Sequence, residues 1–240
     1  MKVYYDLHIH SCMSPCADNE MTPNNIVNMA EIVGLNVIAL TDHNSVMNVE
    51  PVMELAERKG ILCIPGVELT TAEDIHVVCL FENLSDAKSF GKYIAANMPL
   101  INNKPHIFGN QIAADINDNT VLEYPYLLSV ATNIKIDDVV KMLLPYRGIA
   151  YPAHIDRPAN GIISTLGVIP SELGFKAAEI SKYCPADFFN GKKYLSNYNK
   201  IYSSDAHTLE GLAGTKNYFE LNELTISAVF DKIIGKRIRV

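Results

Sequence analysis

No stretch of the chain approaches the roughly 20 consecutive apolar residues of a membrane span. The N-terminal "MKVYYDLHIH" meets polar residues before an apolar leader forms, so no secretion signal is expected. Positive charge is scarce: 20 Lys and Arg stand against 27 Asp and Glu, a formal net charge of −7. No basic stripe interleaved with aromatics appears, which argues against a general electrostatic grip on nucleic acid or an anionic membrane. Paired cysteines are missing too. The five cysteines are odd in number and irregularly spaced, with no CxxC pair. They read as reduced thiols of a cytoplasmic protein rather than a disulfide framework or a structural zinc site. Internal repeats, low-complexity segments and linkers are also lacking, so the 240 residues read as a single domain, 1–240.

What is present is a large apolar fraction, 48%, enough for a sizeable core. Strand-like and helix-like runs alternate through the first third. "VYYDLHIHS" alternates as a strand does. "TPNNIVNMAEIVG" carries a threonine cap, a proline at the first helical position, apolar residues at Ile26, Met29, Ala30 and Val33, and a glycine stop. "NVIALTDH", "ILCIPGVELT" (broken at Pro65-Gly66) and "IHVVCLF" read as buried strands, and "VEPVMELAERKG" as the helix between the first two. Repeated βα units predict a mostly parallel sheet with helices outside. Residues 84–147 show no clear strand and read as a largely helical insertion. Strands return with "GIAYPAH", "AAEI", "KIYSSDAH" and "NYFEL", and an amphipathic helix ends the chain.

Of seven histidines, six fall at or beside predicted strands: His8, His10, His43, His76, His154 and His207. Only His106 lies elsewhere, in the insertion. Strand ends of a parallel α/β fold gather at one face, where ligands bind. Carboxylates accompany the histidines there: Asp6, Asp42, Glu68 and Asp205. Alone, each motif is weak. "HxH" suits a polar core, "TDH" a turn after a strand, and "SDAH" a helix cap. Together they describe more ligands than one tetrahedral ion takes, and imidazole with carboxylate suits zinc, iron or manganese.

The motifs "DLHIHS", "LTDHNS", "PGVELT", "IHVV", "AH" and "SDAH", in this order, resemble the PHP family (polymerase and histidinol phosphatase) from Tyr5 to about Phe219. The resemblance implies a distorted seven-stranded, TIM-like β/α barrel with two or three divalent ions (Zn, Mn or Fe) that hydrolyses phosphoesters. It implies that His8 and His10 hold a first metal with Glu68 and Asp205. Glu68 would bridge to a second, completed by His76 and His154, and His43 and His207 would hold a third. Asp18 is the expected further ligand of the third metal and Cys16 the alternative, because "PCAD" departs from the family's usual run. Catalysis is expected to rest on Glu68, Asp205 and Arg157, with a metal-bound hydroxide as nucleophile. Arg157 and Asn44 are expected to touch substrate; guanidinium suits phosphate. Asp42 and Asp6 are candidates for orienting the ligand histidines.

The substrate expected from the acidic balance and the absence of a polymerase domain is a small phosphorylated metabolite or nucleotide. Stable nucleic-acid binding and membrane association are not expected. The alternatives are a 3'-5' exonuclease-like phosphodiesterase on short nucleic acids and a non-catalytic metal-binding regulatory module. A C–N bond hydrolase on a similar barrel is disfavoured, because no lysine lies at a strand end to bridge two metals.

Overall fold

The computed structural model describes residues 1–212 and 217–235. Its scaffold begins with β1 (Lys2–Ile9), α1 (Pro23–Ile32), β2 (Val37–Leu40), α2 (Val49–Arg58) and β3 (Leu62–Thr70). These units match the sequence expectations closely. Thr22 caps α1 by accepting the Asn25 N–H, Pro23 occupies its first turn, and Ile26, Val27 and Ala30 are buried beneath it. Strand β1 pairs parallel with β2, and β2 parallel with β3.

Beyond β3 the expectation of a mostly parallel sheet gives way. β4 (His76–Phe81) and β7 (Gly148–Pro152) add antiparallel pairings, β3 to β4 and β4 to β7. β10 (Tyr218–Glu220) lies antiparallel on the other side of β1. The sheet order is β10-β1-β2-β3-β4-β7, a curled six-stranded half-barrel of mixed direction. Only residues 71–75 connect β3 to β4. A parallel crossover needs a dozen residues or more, so an antiparallel turn is the only short route. A parallel pair, β8 (Ala177–Ile180) and β9 (Asn199–Tyr202), stands apart as a second sheet. It meets the half-barrel through single backbone bonds, Ile155 N–H to Glu179 O at 2.9 Å and His10 N–H to Ala206 O at 2.9 Å.

Pro65-Gly66 does not interrupt β3. It marks where the strand changes partner, from β2 as far as Pro65 to β4 from Gly66 onward. The glycine is needed for packing: a Cβ there would meet Thr41 Cγ2 at 2.8 Å and Leu80 Cδ2 at 2.9 Å.

Two apolar layers lie on either side of the strands. Tyr5, Leu7, Val37, Ala39, Ile64, Val78 and Tyr151 pack with Val229, Phe230 and Ile233 of the terminal helix α8 (Ile226–Ile234). Ile9, Ile38, Leu40 and Val67 pack instead beneath α1 and α2. Leu7 and Ile9 share a parity yet belong to different layers. The cause is a register shift between Asp6 and Ile9, where β1 gains one residue relative to β2. Such a bulge re-aims the residues after it. Here the residues re-aimed are His8 and His10.

The 84–147 segment holds α3 (Leu84–Ala96), α4 (Pro105–Phe108) and α5 (Ile136–Leu143), but also a short ribbon of β5 (Ile112–Ala114) and β6 (Thr120–Glu123). The ribbon turns at "DINDN", where Asp115 accepts the N–H groups of Asn117 and Asn119. Among the described residues no helix is long and apolar enough to cross a membrane. All five cysteines are free.

Candidate metal centre

Five of the expected ligands converge on a sixth, the Glu68 carboxylate. Around Glu68, itself 1% exposed, lie His43 Nδ1 at 2.9 Å, His76 Nδ1 at 3.0 Å, and His8 Nε2, His10 Nε2 and His154 Nε2, each at 3.3 Å. Asp205 Oδ1 stands 3.4 Å from His8 Nε2 and 3.1 Å from His10 Nε2. His207 stacks on His10 with ring centroids 4.1 Å apart. His76 opens its strand rather than ending it. Because β4 runs antiparallel to β3, its first residue arrives at the same face as the ends of β1, β2 and β3.

These approaches are short, yet both Glu68 oxygens, Asp205 Oδ1, His43 Nδ1 and His154 Nδ1 have no partner in hydrogen-bond geometry. Two imidazole nitrogens, His8 Nε2 and His10 Nε2, face each other at 3.1 Å. Buried polar atoms are normally satisfied. Lone pairs pointing past one another toward common points are what shared cations require. Three sets of donor atoms each fall within 4.8 Å of one another: His8, His10 and Glu68; His43, Glu68 and His76; His10, His43 and His207. Neutral imidazole and carboxylate donors fit divalent ions of the zinc, manganese and iron type.

Electrostatics agree. Burial pushes the Glu68 carboxyl up, but the fields of His76, His8 and His43 outweigh it and hold it well below the ordinary carboxylate range. Asp205 is likewise held far down against burial by His8 and His10. Burial pulls His10 and His43 down, but the carboxylates override it and raise both to about 9. His207 goes the other way. Burial, aided by repulsion from His10, lowers it to about 3.

The far sides of the rings are tied to the fold. His8 Nδ1 lies 3.0 Å from both oxygens of Glu179, a fully buried residue of β8. Sequence reasoning placed "AAEI" as a strand and passed over this glutamate. The signal was there, since a lone acid in a four-residue apolar run is rarely buried without a partner. His10 Nδ1 meets Ser14 Oγ at 2.9 Å, and Ser14 donates to Asp42 at 2.7 Å. Asp42, fully buried, also accepts the N–H and Oγ–H of Ser11. His207 Nδ1 meets the Asp205 carbonyl at 2.9 Å. Each tie sets the tautomer that frees Nε2 for the centre. Asp6 acts one step further out, accepting the Ser204 N–H at 3.0 Å beside the loop that carries Asp205. The loops are strained where they deliver ligands: His154 and Asp205 have φ of 28° and 51°.

Other expected residues lie differently. Asn44 does not offer its amide to a ligand. Its Nδ2 donates to the carbonyls of Leu128 and Val130, and its Oδ1 accepts the Thr70 N–H, so it fastens the insertion to β3. Asp18 is exposed, and its backbone N–H donates to the His207 carbonyl at 2.9 Å. It joins none of the three donor sets. The Cys16 side chain hydrogen-bonds His43 instead. The 84–147 segment packs closely on this loop, for a Cβ at Gly109 (φ 97°) would sit 2.0 Å from the Pro15 carbonyl oxygen. Arg157 pairs with Asp205, Nη1 to Oδ2 at 2.7 Å, and remains 35% exposed at its side chain. Asp156, its adjacent acid, is occupied by Ser181.

Fold and cluster together define an α/β half-barrel whose strand ends carry histidine and carboxylate groups that could hold metal ions. The PHP domain family model matches residues 6–143, and the chain belongs to that family. A 5'-3' exoribonuclease of Haemophilus influenzae is 38% identical over 79 residues, covering 32% of this chain and 28% of that enzyme. The chain thus spans well under a third of that curated relative. The lesion-specific endonuclease PfuEndoQ of Pyrococcus furiosus superposes with a TM-score of 0.72 at 20% identity, over 98% of this chain and 56% of that one. A structure of Endonuclease Q with a 27-mer duplex bearing an abasic lesion at its active site gives 0.66 at 18% identity, over 96% and 56%. A metal-dependent phosphoesterase from Bifidobacterium adolescentis, so described provisionally, gives 0.61 at 15% identity over 97% and 96%.

These relatives correct one expectation. A small phosphorylated substrate without stable nucleic-acid binding was expected from the net charge, whereas the exoribonuclease and the endonuclease act on nucleic acid. Net charge averages over the whole surface. It omits bound cations, which dominate the local field at a site of this kind.

Proposed function

We propose that the chain is a metal-dependent phosphodiesterase acting on nucleic-acid strands. The observation that carries this reading is the Glu68 carboxylate ringed by five imidazole nitrogens at 2.9–3.3 Å, in a chain whose relatives cleave RNA and DNA. A regulatory module has no need of so complete a donor set. A C–N hydrolase of the lysine-bridged kind is disfavoured because a glutamate occupies the shared position.

In this reading His8, His10, Glu68 and Asp205 hold one divalent ion and Glu68, His76 and His154 a second. His43 and His207 hold a third, with Cys16 the nearest thiol and Asp18 on the adjoining loop. Such ions supply Lewis-acid polarisation of phosphoryl oxygens and an acidified water at neutral pH. The protein's own groups do the positioning. Glu179 and the Ser14–Asp42 pair fix the rings of His8 and His10. Arg157, the half-exposed cation at the rim, exchanges Asp205 for a phosphate oxygen, which it can grip with two parallel N–H groups. The wall built by residues 84–147 stands over the loops after β1 and β2 and shapes the approach to the site.

The direct test uses RNA and DNA single strands labelled at either end, incubated with manganese or with EDTA. Stepwise shortening with manganese, absent in EDTA, is expected, and the labelled end that disappears first gives the direction. No cleavage of any strand by protein carrying its full metal complement would sink the reading.

A second expected result concerns protons. In metal-free protein at pH 7, His10 and His43 are protonated, because both are raised to about 9. Metals bind neutral imidazole. Loading at pH 7 should therefore release about two protons or more, and apparent affinity should climb up to about pH 9. A raised histidine stabilises the fold below its unfolded value of about 6.5 and ceases to do so as pH passes the folded value. Metal-free protein should accordingly lose thermal stability between pH 6.5 and 9. Calorimetry in two buffers of different ionisation enthalpy reads the proton count, and a count of zero contradicts the assignment.

A further inference from the structure

Beside the cluster lies a cavity of about 470 Å³ that the catalytic residues do not use. Its floor starts one residue past His43, at Asn44–Met47. Its walls are α3 on one side and the β5–β6 ribbon with Tyr124 and Leu128 on the other. Among ligand sites, volumes of roughly 300–1,000 Å³ suit small organic groups. The lining is mostly apolar, and two cations stand at its edge, Lys88 and Lys92, one turn apart on α3. Lys88 is paired with Glu50 at 2.7 Å. Lys92 has no ion pair among the described residues and is exposed.

The cavity is held in place from below. Gly91 lies inside α3, where glycine is less favourable to the helix than alanine. A Cβ there would come within 2.6 Å of Val46 Cγ2. The glycine lets α3 seat directly on the loop that leaves His43. The Asn44 amide, bonded to the Leu128 and Val130 carbonyls, fixes the opposite wall to the same loop. An apolar slot with one aromatic wall, a cation without an ion pair at its edge and a floor on the loop that leaves the ligand His43 matches one occupant chemically. Bases stack on aromatic and apolar walls while lysines track the backbone.

We propose that this cavity holds an unpaired nucleobase and its sugar, the nucleotide adjoining the scissile phosphate. The assignment rests on the nucleic-acid reading above and names the part of the strand that the insertion recognises. Lys92 meets the next phosphate along.

The test places 2-aminopurine at successive positions of a short single strand and titrates it with protein, in manganese and in EDTA. Ala95 lines the cavity from an exposed turn of α3, so Ala95→Trp should fill it without disturbing the fold. Quenching is expected at one position only, with binding about tenfold weaker in Ala95→Trp. An abasic residue at that position should slow cleavage about tenfold in the wild type and hardly at all in Ala95→Trp. Lys92→Ala, which leaves the cavity open, should reduce the slope of log affinity against log salt by about one. Quenching that does not depend on position, or an Ala95→Trp protein that binds as the wild type does, overturns the proposal. Cleavage indifferent to the abasic position overturns it while leaving the phosphodiesterase reading intact. Position-specific quenching without cleavage in any metal upholds the subsite and removes the hydrolytic reading.

Discussion

Glu68→Gln should reduce hydrolysis of any phosphodiester by about a thousandfold or more, the worth of several kcal/mol of charge stabilisation at the reacting phosphate. The substitution keeps the volume and removes one negative charge. That charge is the common neighbour of five imidazole nitrogens; together with Asp205 it raises His10, and it is the largest influence raising His43. Two effects should appear together. Bound metal, measured by elemental analysis after dialysis, should fall by more than one equivalent, since Glu68 sits in two of the three donor sets. The metal-free variant should also bind fewer protons at pH 7 than the parent, because the buried imidazolium ions lose part of the charge that compensates them. A variant that loses activity yet keeps its full metal content would show that Glu68 acts on substrate and not as a shared ligand.

Glu179→Ala should lower metal affinity about 10- to 100-fold, the usual cost of removing a partner behind a ligating histidine. The residue never faces the centre. Both its oxygens lie 3.0 Å from His8 Nδ1, and Oε1 also accepts the His154 N–H at 3.2 Å. Without it the His8 ring is free to adopt the wrong tautomer, and the β7 loop that delivers His154 loses an anchor. The loss should appear in kcat at limiting metal and recover in excess manganese, with KM for the strand little changed. Glu179→Gln keeps an acceptor and should recover part of the affinity. Equal damage from both variants, unrelieved by metal, would point to a collapsed core instead of a misplaced ring.

The early βα units were readable because apolar spacing, a threonine cap and a glycine stop all agree over residues 22–34. Strand direction was not readable from periodicity, which is identical for parallel and antiparallel strands. The five residues between β3 and β4 did carry that information, since no crossover fits in so few. The β5–β6 ribbon was hidden because its strands are three and four residues long and β6 is exposed throughout. In the centre, histidines and carboxylates announced themselves by type. The supporting residues spoke more quietly: a glutamate in an apolar strand signals a buried partner without naming it, and a serine after HxH has no chemistry until its neighbour is known. Asn44 was read as a substrate contact from its position beside His43. The structure spends its amide on holding two segments together, a use that depends on residues 84 and more positions away.

The meeting of β1 with the loop after β9 has a bearing on how the chain assembles. Ile9 and Ala206 form a single bridge, not a ladder, across nearly the whole length of the chain. Contacts so distant in sequence must repay a loop-closure cost before they contribute. His8 and His10 meet Asp205 and His207 across this thinly paired seam. Ions shared between these two pairs would act as a clasp on that seam, so that the donor set which prepares the chemistry also fastens two distant parts of the chain to each other.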